Sequence, residues 1–435
     1  MKNHILLTAL IFFAALPCLA QQPPSARSGF ALADGDRVVF YGDSITEQRL
    51  YTTDIEEFLL TRYPDRRFDV FQSGVGGDKV SGGHLGPIDL RLHRDLFSHN
   101  PTVVTIMLGM NDGFYRQYDS DIFTSYANGY RYIVDEIQKR APAARITILK
   151  PSPYDDVSRA EMLPGGYNAV LIRFGNFLGE LATEKKTGLA DLNSPVVDAL
   201  KKAKVEGPAF ATTLIPDRIH PGPAIHWLMA ESVLKSWNAT PEVTSVTVDA
   251  ATAVVAAEFN ADVTHLAKTP AGLSWTQQDH ALPLPFGPLD ADPQTELALR
   301  SSDLITALDQ ETLKVTGLAV GSYQLKIDDR LIGTYSAEKL EKGVNLALLE
   351  TPMLEQSRRV AHDTDLKNGT DRPWFEMNAK SPDEIVPETL KALADASDKA
   401  AAQARKDALP VPHRYEIAAV EAPVTAPIPK KRKHG

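Results

Sequence analysis

Apolar, strand-like runs alternate with helix-like segments between residues 36 and 237, and this alternation restricts the chain to few folds. The runs are rich in Val, Ile and Leu and are continuous, which is typical of strands that are buried on both faces. Strand and helix in alternation predict a parallel sheet covered by helices. The five runs lie at residues 37–41, 68–72, 102–108, 145–149 and 188–192.

Three segments between or after these runs have helical periodicity: 120–139, 166–185 and 222–237. The clearest is 120–139, which starts at a plausible N-cap, Asp119 or Ser120. Its apolar side chains recur on one face, as expected for a helix packed against a sheet. They are Phe123, Tyr126, Tyr130, Ile133 and Ile137.

The pattern changes near Pro241. Short alternating runs separated by turn residues predict a small antiparallel, β-rich unit over residues 241–335. Residues 336–409 have helical character, and it is strongest at 381–407. The sequence leaves open whether these helices form a domain or pack on the first one. Residues 410–435 end in the basic stretch KKRKHG, and we expect a solvated, disordered tail there.

The first twenty residues have the pattern of a secretory signal peptide, with a lysine, an apolar core and small residues before a cleavage point after Ala20. The apolar core is short for a membrane span, so we expect an exported protein, periplasmic or secreted, without a span after cleavage. Cys18 is the only cysteine, and cleavage would leave no disulfide. The net charge of −10 disfavours nucleic-acid binding.

Polar or glycine-rich residues follow the predicted strands. They are Gly42-Asp43-Ser44 after the first, 73–83 after the second, and Gly109-Met110-Asn111-Asp112 after the third. The segment PDRIHPG, residues 216–222, precedes the last helix of the alternating region. In open parallel sheets ligands bind outside the carboxyl ends of the strands. We therefore expect these four clusters to meet at one edge of the sheet.

The residue types in these clusters complement each other chemically. A serine hydroxyl such as that of Ser44 needs a base to become a nucleophile, and histidine is suited to that role at neutral pH. A histidine base needs a partner that fixes its tautomer. Asp217 stands three residues before His220, close enough to be that partner.

Acyl transfer also requires donors for the negative oxygen of the tetrahedral intermediate. The amide of Ser44, the backbone at Gly77 and the side-chain amide of Asn111 are the candidates. Each element has a purely structural alternative: Gly-Asp-Ser is often a turn, Gly77 could relieve turn strain, and Asn111 could support a loop. Their joint occurrence, each after its predicted strand, favours catalysis, with Ser44 as nucleophile.

This combination resembles the SGNH, or GDSL-type, hydrolase family of esterases and lipases. The nucleophile block is matched by YGDSIT, the glycine block by Gly77-Asp78, the asparagine block by GMND and the last block by DRIHP. The resemblance covers about residues 36 to 237. In the glycine block Gly76 could replace Gly77 in a shifted alignment.

The resemblance implies a catalytic triad of Ser44, Asp217 and His220, and an oxyanion hole of Ser44, Gly77 and Asn111. It also implies a flavodoxin-like three-layer α/β/α domain over residues 30–240, with no metal or cofactor. The absence of GxSxG argues against the α/β-hydrolase fold. Four scattered histidines lack metal-ligand spacing, so we expect no metal. They are His84, His93, His99 and His226.

Further residues at the same edge are expected to have supporting roles. Asp43 is expected to hold the nucleophile turn through backbone hydrogen bonds, and Asp78 and Asp112 to shape the pocket. The segment PSPYDD follows the fourth strand, where Tyr154 and Asp155 could line a substrate cleft.

Together these features predict an exported serine esterase that acts on a small-molecule or polysaccharide ester. The family and export favour acetyl as the acyl group and carbohydrate as the substrate. Lipases and thioesterases share the same motifs. A non-catalytic glycan- or protein-binding module on a hydrolase scaffold is an alternative from a different class. The sequence leaves the oligomeric state open.

Overall fold

The structure is a computed structural model that describes residues 29–287, 292–380 and 387–420. The predicted signal peptide, residues 1–20, lies outside the described residues. Within these ranges, no helix combines the length and apolarity that a membrane crossing needs.

Residues 29–240 form a parallel sheet with helices between the strands, and all five predicted runs are strands of that sheet. The strands of the parallel sheet are β1 (Asp36–Gly42), β2 (Phe68–Gly74), β5 (Val103–Met107), β6 (Arg145–Lys150) and β7 (Gly188–Asp191). Two short strands, β3 (Gly82–Gly83) and β4 (Gly86–Pro87), pair with each other in an antiparallel manner. The helices are α1 (Ser44–Glu47), α2 (Leu50–Arg62), α3 (Ile88–Asp95), α4 (Ser120–Arg140), α5 (Asn168–Lys185), α6 (Ser194–Glu206), α7 (Pro208–Ala211) and α8 (Pro223–Ser236).

The parallel sheet has the order β2-β1-β5-β6-β7. Counting only its own strands along the chain, this is the flavodoxin-like order 2-1-3-4-5. Every residue of β5 is buried. Successive side chains of a strand point to opposite faces, so both faces of the sheet are covered. The predicted α/β class with a parallel central sheet is confirmed.

Helix α4 illustrates why these segments form helices. The side chain of Asp119 accepts hydrogen bonds from the amides of the first turn, which identifies Asp119 rather than Ser120 as the N-cap. On the buried face, the hydroxyls of Tyr126 and Tyr130 donate to the carbonyls of Leu108 and Ile106, at 3.0 and 2.7 Å. The helix thereby braces β5 and the residues that follow it.

The described residues after 240 contain two sheets that share one hydrophobic core. Their strands are β8 (Glu242–Asp249), β9 (Val254–Phe259), β10 (Ala261–Thr269), β11 (Gly272–Asp279), β12 (Gln310–Thr316), β13 (Ser322–Ile327), β14 (Arg330–Ser336), β15 (Val344–Asn345) and β16 (His413–Ala419). The helices are α9 (Pro293–Ser301), α10 (Leu304–Leu308), α11 (Ala337–Lys342), α12 (Pro352–Lys380) and α13 (Pro387–Asp407).

Two predictions about this part need correction. The tail predicted from residue 410 is wrong up to residue 419, because β16 pairs with both β11 and β13 in the middle of the five-stranded sheet. The unit predicted over 241–335 is neither purely antiparallel nor complete, since β8 and β12 pair in parallel and β15 joins them from later in the chain. These pairings link segments far apart in sequence, which local patterns do not reveal.

Helices α12 and α13 pack on each other, and α12 also packs against α2 of the first domain. Asn368 of α12 accepts from the Gln72 side chain and donates to the Thr53 hydroxyl, both at 2.8 Å. Lys367 pairs with the buried Glu56 at 2.9 Å. The question that the sequence left open is therefore answered: α12 packs back on the parallel-sheet domain.

Candidate active site

Ser44 directly follows a sharp turn at Asp43 between β1 and α1. Asp43 has an extended backbone, and its side chain accepts a hydrogen bond from the Ile45 amide at 3.0 Å, which starts α1 at Ser44. Gly42 is required here because a Cβ at that position would lie 2.2 Å from Oγ1 of Thr46. Ser44 is consequently the first residue of a helix that begins directly at the end of a central strand.

Asp43 is buried, with 1% of its surface exposed, and burial raises its pKa from 3.8 to about 7. Between pH 3.8 and about pH 7 the Asp43 carboxyl is ionised in the unfolded state but neutral in the folded state. The free energy of unfolding of the wild type therefore decreases as the pH rises through this range. Asp43→Asn keeps an acceptor for Ile45 but cannot ionise. Its free energy of unfolding relative to wild type should therefore increase from pH 4 to pH 8, by at most roughly 4 kcal/mol. Urea unfolding across this range measures it; a relative decrease would contradict a buried neutral carboxyl.

His220 connects Ser44 with Asp217. Nε2 of His220 lies 2.9 Å from Oγ of Ser44, and Nδ1 lies 2.6 Å from Oδ2 of Asp217. The second carboxylate oxygen accepts from the backbone amides of Ile219 and His220, at 2.9 and 2.8 Å. Burial would raise the pKa of Asp217, but these hydrogen bonds outweigh it and hold the pKa below its ordinary value.

Arg159, which the sequence reasoning did not single out, supports the segment that carries Asp217 and His220. Its guanidinium donates to three backbone carbonyls: those of Ile215 and Thr212 at 2.7 Å and that of Pro216 at 2.8 Å. A single planar cation thus fixes the chain immediately before Asp217.

Arg218 braces the same segment from the other side. Its backbone adopts a left-handed conformation with φ of +73°. The carbonyl of Arg218 accepts from the Asp155 amide at 2.9 Å, and its guanidinium donates to the carbonyls of Asp155 and Ala160, at 3.0 and 2.9 Å. The loop after β6 therefore holds the 217–220 segment in place. A sequence pattern gives no sign of these arginine–carbonyl contacts.

The predicted cleft roles of Tyr154 and Asp155 do not match the structure. Asp155 is fully buried, and its carboxylate accepts from the amides of Val157 and Ser158. Tyr154 is 8% exposed and packs edge-on against Tyr167, with ring centres 5.4 Å apart. Both residues support the loop rather than line a cleft.

His226, one of the four scattered histidines, lies behind the site. Burial lowers its pKa to about 3, so the ring is neutral. Nδ1 accepts from the Tyr51 amide at 3.1 Å, which leaves Nε2 to donate to the Gln48 side chain at 3.2 Å. Gln48 in turn donates to the carbonyl of Pro221, the residue after His220, at 3.4 Å. This neutral network ties Gln48, directly after α1, and the start of α2 to α8.

Gly77 lies in a tight turn after β2. The Asp78 amide donates to the Val75 carbonyl at 3.1 Å, and Gly77 has φ of +75°, as the third residue of a type II turn requires. A side chain at Gly76 would approach Glu47 Oε2 to 2.9 Å. Among the described residues, the amides of Gly76 and Gly77 meet no acceptor, so both remain available as donors.

Asn111 has an orientation fixed by two hydrogen bonds. Its amide nitrogen donates to the carbonyl of Asp78 at 3.1 Å, and its oxygen accepts from the Tyr115 hydroxyl at 2.7 Å. An amide nitrogen carries two hydrogens. One N–H of Asn111 is thus still free to donate, and Asn111 also links the loop after β5 to the turn that contains Gly77.

Asp78 and Asp112 stabilise the loops after β2 and β5 through buried contacts. Asp78 forms a buried ion pair with Arg91, with Oδ2 2.6 Å from Nε. Oδ1 of Asp112 accepts from the Val80 amide at 2.9 Å, and burial raises the pKa of Asp112 to about 7. In the part of the chain that the structure describes, no group of His, Cys, Asp or Glu could hold a metal ion.

Comparison with known proteins gives a family match over the parallel-sheet domain. Residues 40–228 match the model of the GDSL-like lipase/acylhydrolase family. An acetylxylan esterase from Geobacillus stearothermophilus is 22% identical over 223 residues, which cover 47% of this chain and 94% of the relative.

Among solved structures, a gut microbial diltiazem-metabolizing enzyme is similar over almost the whole chain. The similarity has a TM-score of 0.79 at 24% identity, and it covers 89% of this chain and 98% of the other. A catalytic mutant of an acetylxylan esterase from Geobacillus stearothermophilus matches with a TM-score of 0.38 at 22% identity. The match covers 48% of this chain and 96% of the other. The first of these likenesses shows that the fold, including the sheets and helices after residue 240, occurs in a known protein.

Proposed function

We propose that this chain, whose residues 40–228 match the model of the GDSL-like lipase/acylhydrolase family, hydrolyses carboxylic esters through Ser44, His220 and Asp217. That it is an ester-hydrolysing enzyme follows from the family and from its acetylxylan esterase relative. The proposal adds the identity of the catalytic residues, the acyl group and the substrate.

One observation carries the catalytic assignment: an unbroken chain of short contacts runs from Asp217 through His220 to Ser44, at 2.6 and 2.9 Å. In the proposed mechanism Nε2 of His220 takes the Ser44 proton while Oγ attacks the ester carbonyl. His220 then returns the proton to the departing alcohol, and water releases the acyl group by the same route. Asp217 fixes the tautomer of His220 and stabilises its charged form.

The oxyanion formed by this attack needs donors at one place. Three are proposed: the amide of Ser44 at the start of α1, the amide of Gly77 and the free N–H of Asn111. Gly76 has an equally unpaired amide and is the alternative to Gly77.

Acetyl is the proposed acyl group and carbohydrate the proposed alcohol component. The support is the acetylxylan esterase relative, which is 22% identical to this chain over 223 residues. Export, expected from residues 1–20, agrees with an extracellular or periplasmic carbohydrate ester.

Labelling with a fluorophosphonate probe tests whether the site is catalytic. The probe should modify Ser44, and peptide mass spectrometry should locate the adduct on that residue. A folded protein that stays unlabelled would favour a binding module on a hydrolase scaffold.

A panel of acetylated xylan, pectin fragments, peptidoglycan and p-nitrophenyl esters of increasing chain length then tests the substrate. A preference for long acyl chains would favour a lipase.

Asn111→Ala should lower kcat by about 100- to 1,000-fold and leave KM nearly unchanged, because the N–H acts only when charge develops on the oxygen. Asn111→Asp is a matched variant of the same shape that cannot donate, and it should be impaired at least as strongly. Steady-state kinetics on one preparation measure the role of Asn111 as a donor to the oxyanion, and thermal melting of the same preparation measures its role as a loop support. A loss of stability with normal kcat would make Asn111 a loop support only.

A further inference from the structure

A tyrosine outside the proposed triad and oxyanion hole contacts Asn111. The hydroxyl of Tyr115 donates to Oδ1 of Asn111 at 2.7 Å, and the residue is still 38% exposed. Burial raises the pKa of Tyr115 to about 12, and the charges of Asp43 and Asp217 contribute to the rise. The phenol therefore remains protonated, and able to donate, at any pH at which an esterase would work.

The backbone that delivers this hydroxyl is strained. Phe114 and Tyr115 both have φ of +54°, a left-handed conformation that bulky residues rarely adopt. Such backbone strain concentrates at functional sites. The reversal it produces brings the side chain of Tyr115 back onto a residue four positions earlier.

Neighbouring aromatic residues hold the reversed loop. Tyr167 donates to the Met110 carbonyl at 2.7 Å, and its ring centre lies 5.1 Å from that of Tyr115. Gly113 leaves room for this contact, since a Cβ there would lie 2.5 Å from the Tyr167 hydroxyl. The ring of Tyr154 is the second aromatic neighbour of Tyr115, with ring centres 6.3 Å apart.

We propose that Tyr115 is a positioning residue that holds the side-chain amide of Asn111 with its free N–H directed at the oxyanion. Without the Tyr115 hydroxyl only the bond to the Asp78 carbonyl would fix the amide. A flipped amide would present its oxygen to a negative charge. Donation to Oδ1 also polarises the amide and makes its N–H a stronger donor. This inference rests on the proposed catalytic role of Asn111.

Tyr115→Phe removes the hydroxyl and keeps the ring. Because one hydrogen bond is lost, kcat for p-nitrophenyl acetate should fall roughly 2- to 13-fold, which corresponds to about 0.5–1.5 kcal/mol, with KM nearly unchanged. The same substitution in an Asn111→Ala background should leave kcat almost unaltered, since the group it positions is gone. Tyr118→Phe, on an exposed tyrosine of the same loop, is the matched control and should match wild type.

Two results would overturn the inference: a normal kcat for folded Tyr115→Phe, or an equal loss in the presence and absence of Asn111. A fall in melting temperature with unchanged kcat would likewise reduce Tyr115 to a structural role. Failure of the proposed function looks different, because either the wild type would show no turnover or Ser44→Ala would retain it. If Ser44→Ala is inactive and Asn111→Ala impaired while Tyr115→Phe is normal, only the role of Tyr115 is lost.

Discussion

Ser44→Ala should abolish ester hydrolysis, lowering kcat on the order of a millionfold, while the protein stays folded. The substitution removes the oxygen that is proposed to form the acyl–enzyme bond. Alanine is the best helix former, so the first position of α1 accepts it. The turn itself depends on Asp43 and Gly42, which are unchanged.

The measurement is kcat on p-nitrophenyl acetate, together with the melting temperature of the same preparation. Ser125→Ala is the matched control, because this exposed serine of α4 only bonds the backbone of its own helix. It should retain full turnover and full fluorophosphonate labelling. Turnover near the wild-type rate in folded Ser44→Ala would refute the proposed mechanism.

The parallel-sheet domain could be predicted from sequence because its signals are local. Continuous apolar runs identify strands buried on both faces, and each of them recurs as a strand within about two residues of its predicted ends. In such a sheet the residues that follow the strands are gathered at one edge. That rule alone places Ser44 and Asn111 at the same edge.

The parts that escaped prediction depend on contacts between distant segments. Arg159 and Arg218 act through backbone carbonyls, which any sequence supplies and no pattern marks. Tyr115 reaches Asn111 only because two residues adopt left-handed backbones, which an aromatic sequence would not suggest. Strand β16 is recognisable only through its partners β11 and β13, since its seven residues stand alone beside a proline-rich, basic end.

The aspartate of the proposed triad offers the second large effect. Asp217→Asn should lower kcat by about a thousand- to ten-thousandfold with the fold retained. In wild type one carboxylate oxygen accepts from two backbone amides and the other faces Nδ1 of His220 at 2.6 Å. The side chain of asparagine has only one oxygen, so it can accept either from the two backbone amides or from Nδ1 of His220, but not from both.

The two backbone amides should decide how the new side chain in Asp217→Asn is oriented, because turning its NH₂ group toward them would place donors against donors. The oxygen therefore stays with the amides of Ile219 and His220, and the nitrogen faces Nδ1 of His220. Nδ1 must then become an acceptor, and the ring proton moves to Nε2. In that tautomer His220 donates to Ser44 and cannot take its proton.

Kinetics on p-nitrophenyl acetate, paired with thermal melting, check the prediction for Asp217→Asn. Asp217 is half exposed, with 52% of its side chain accessible, so melting should fall by only a few degrees while turnover collapses. Asp198→Asn, an exposed aspartate of α6 paired only with Lys201, is the matched control for the loss of one charge. Should Asp217→Asn turn over like wild type, His220 would hold its tautomer without Asp217, and the carboxylate would serve only to cap the turn that ends at His220.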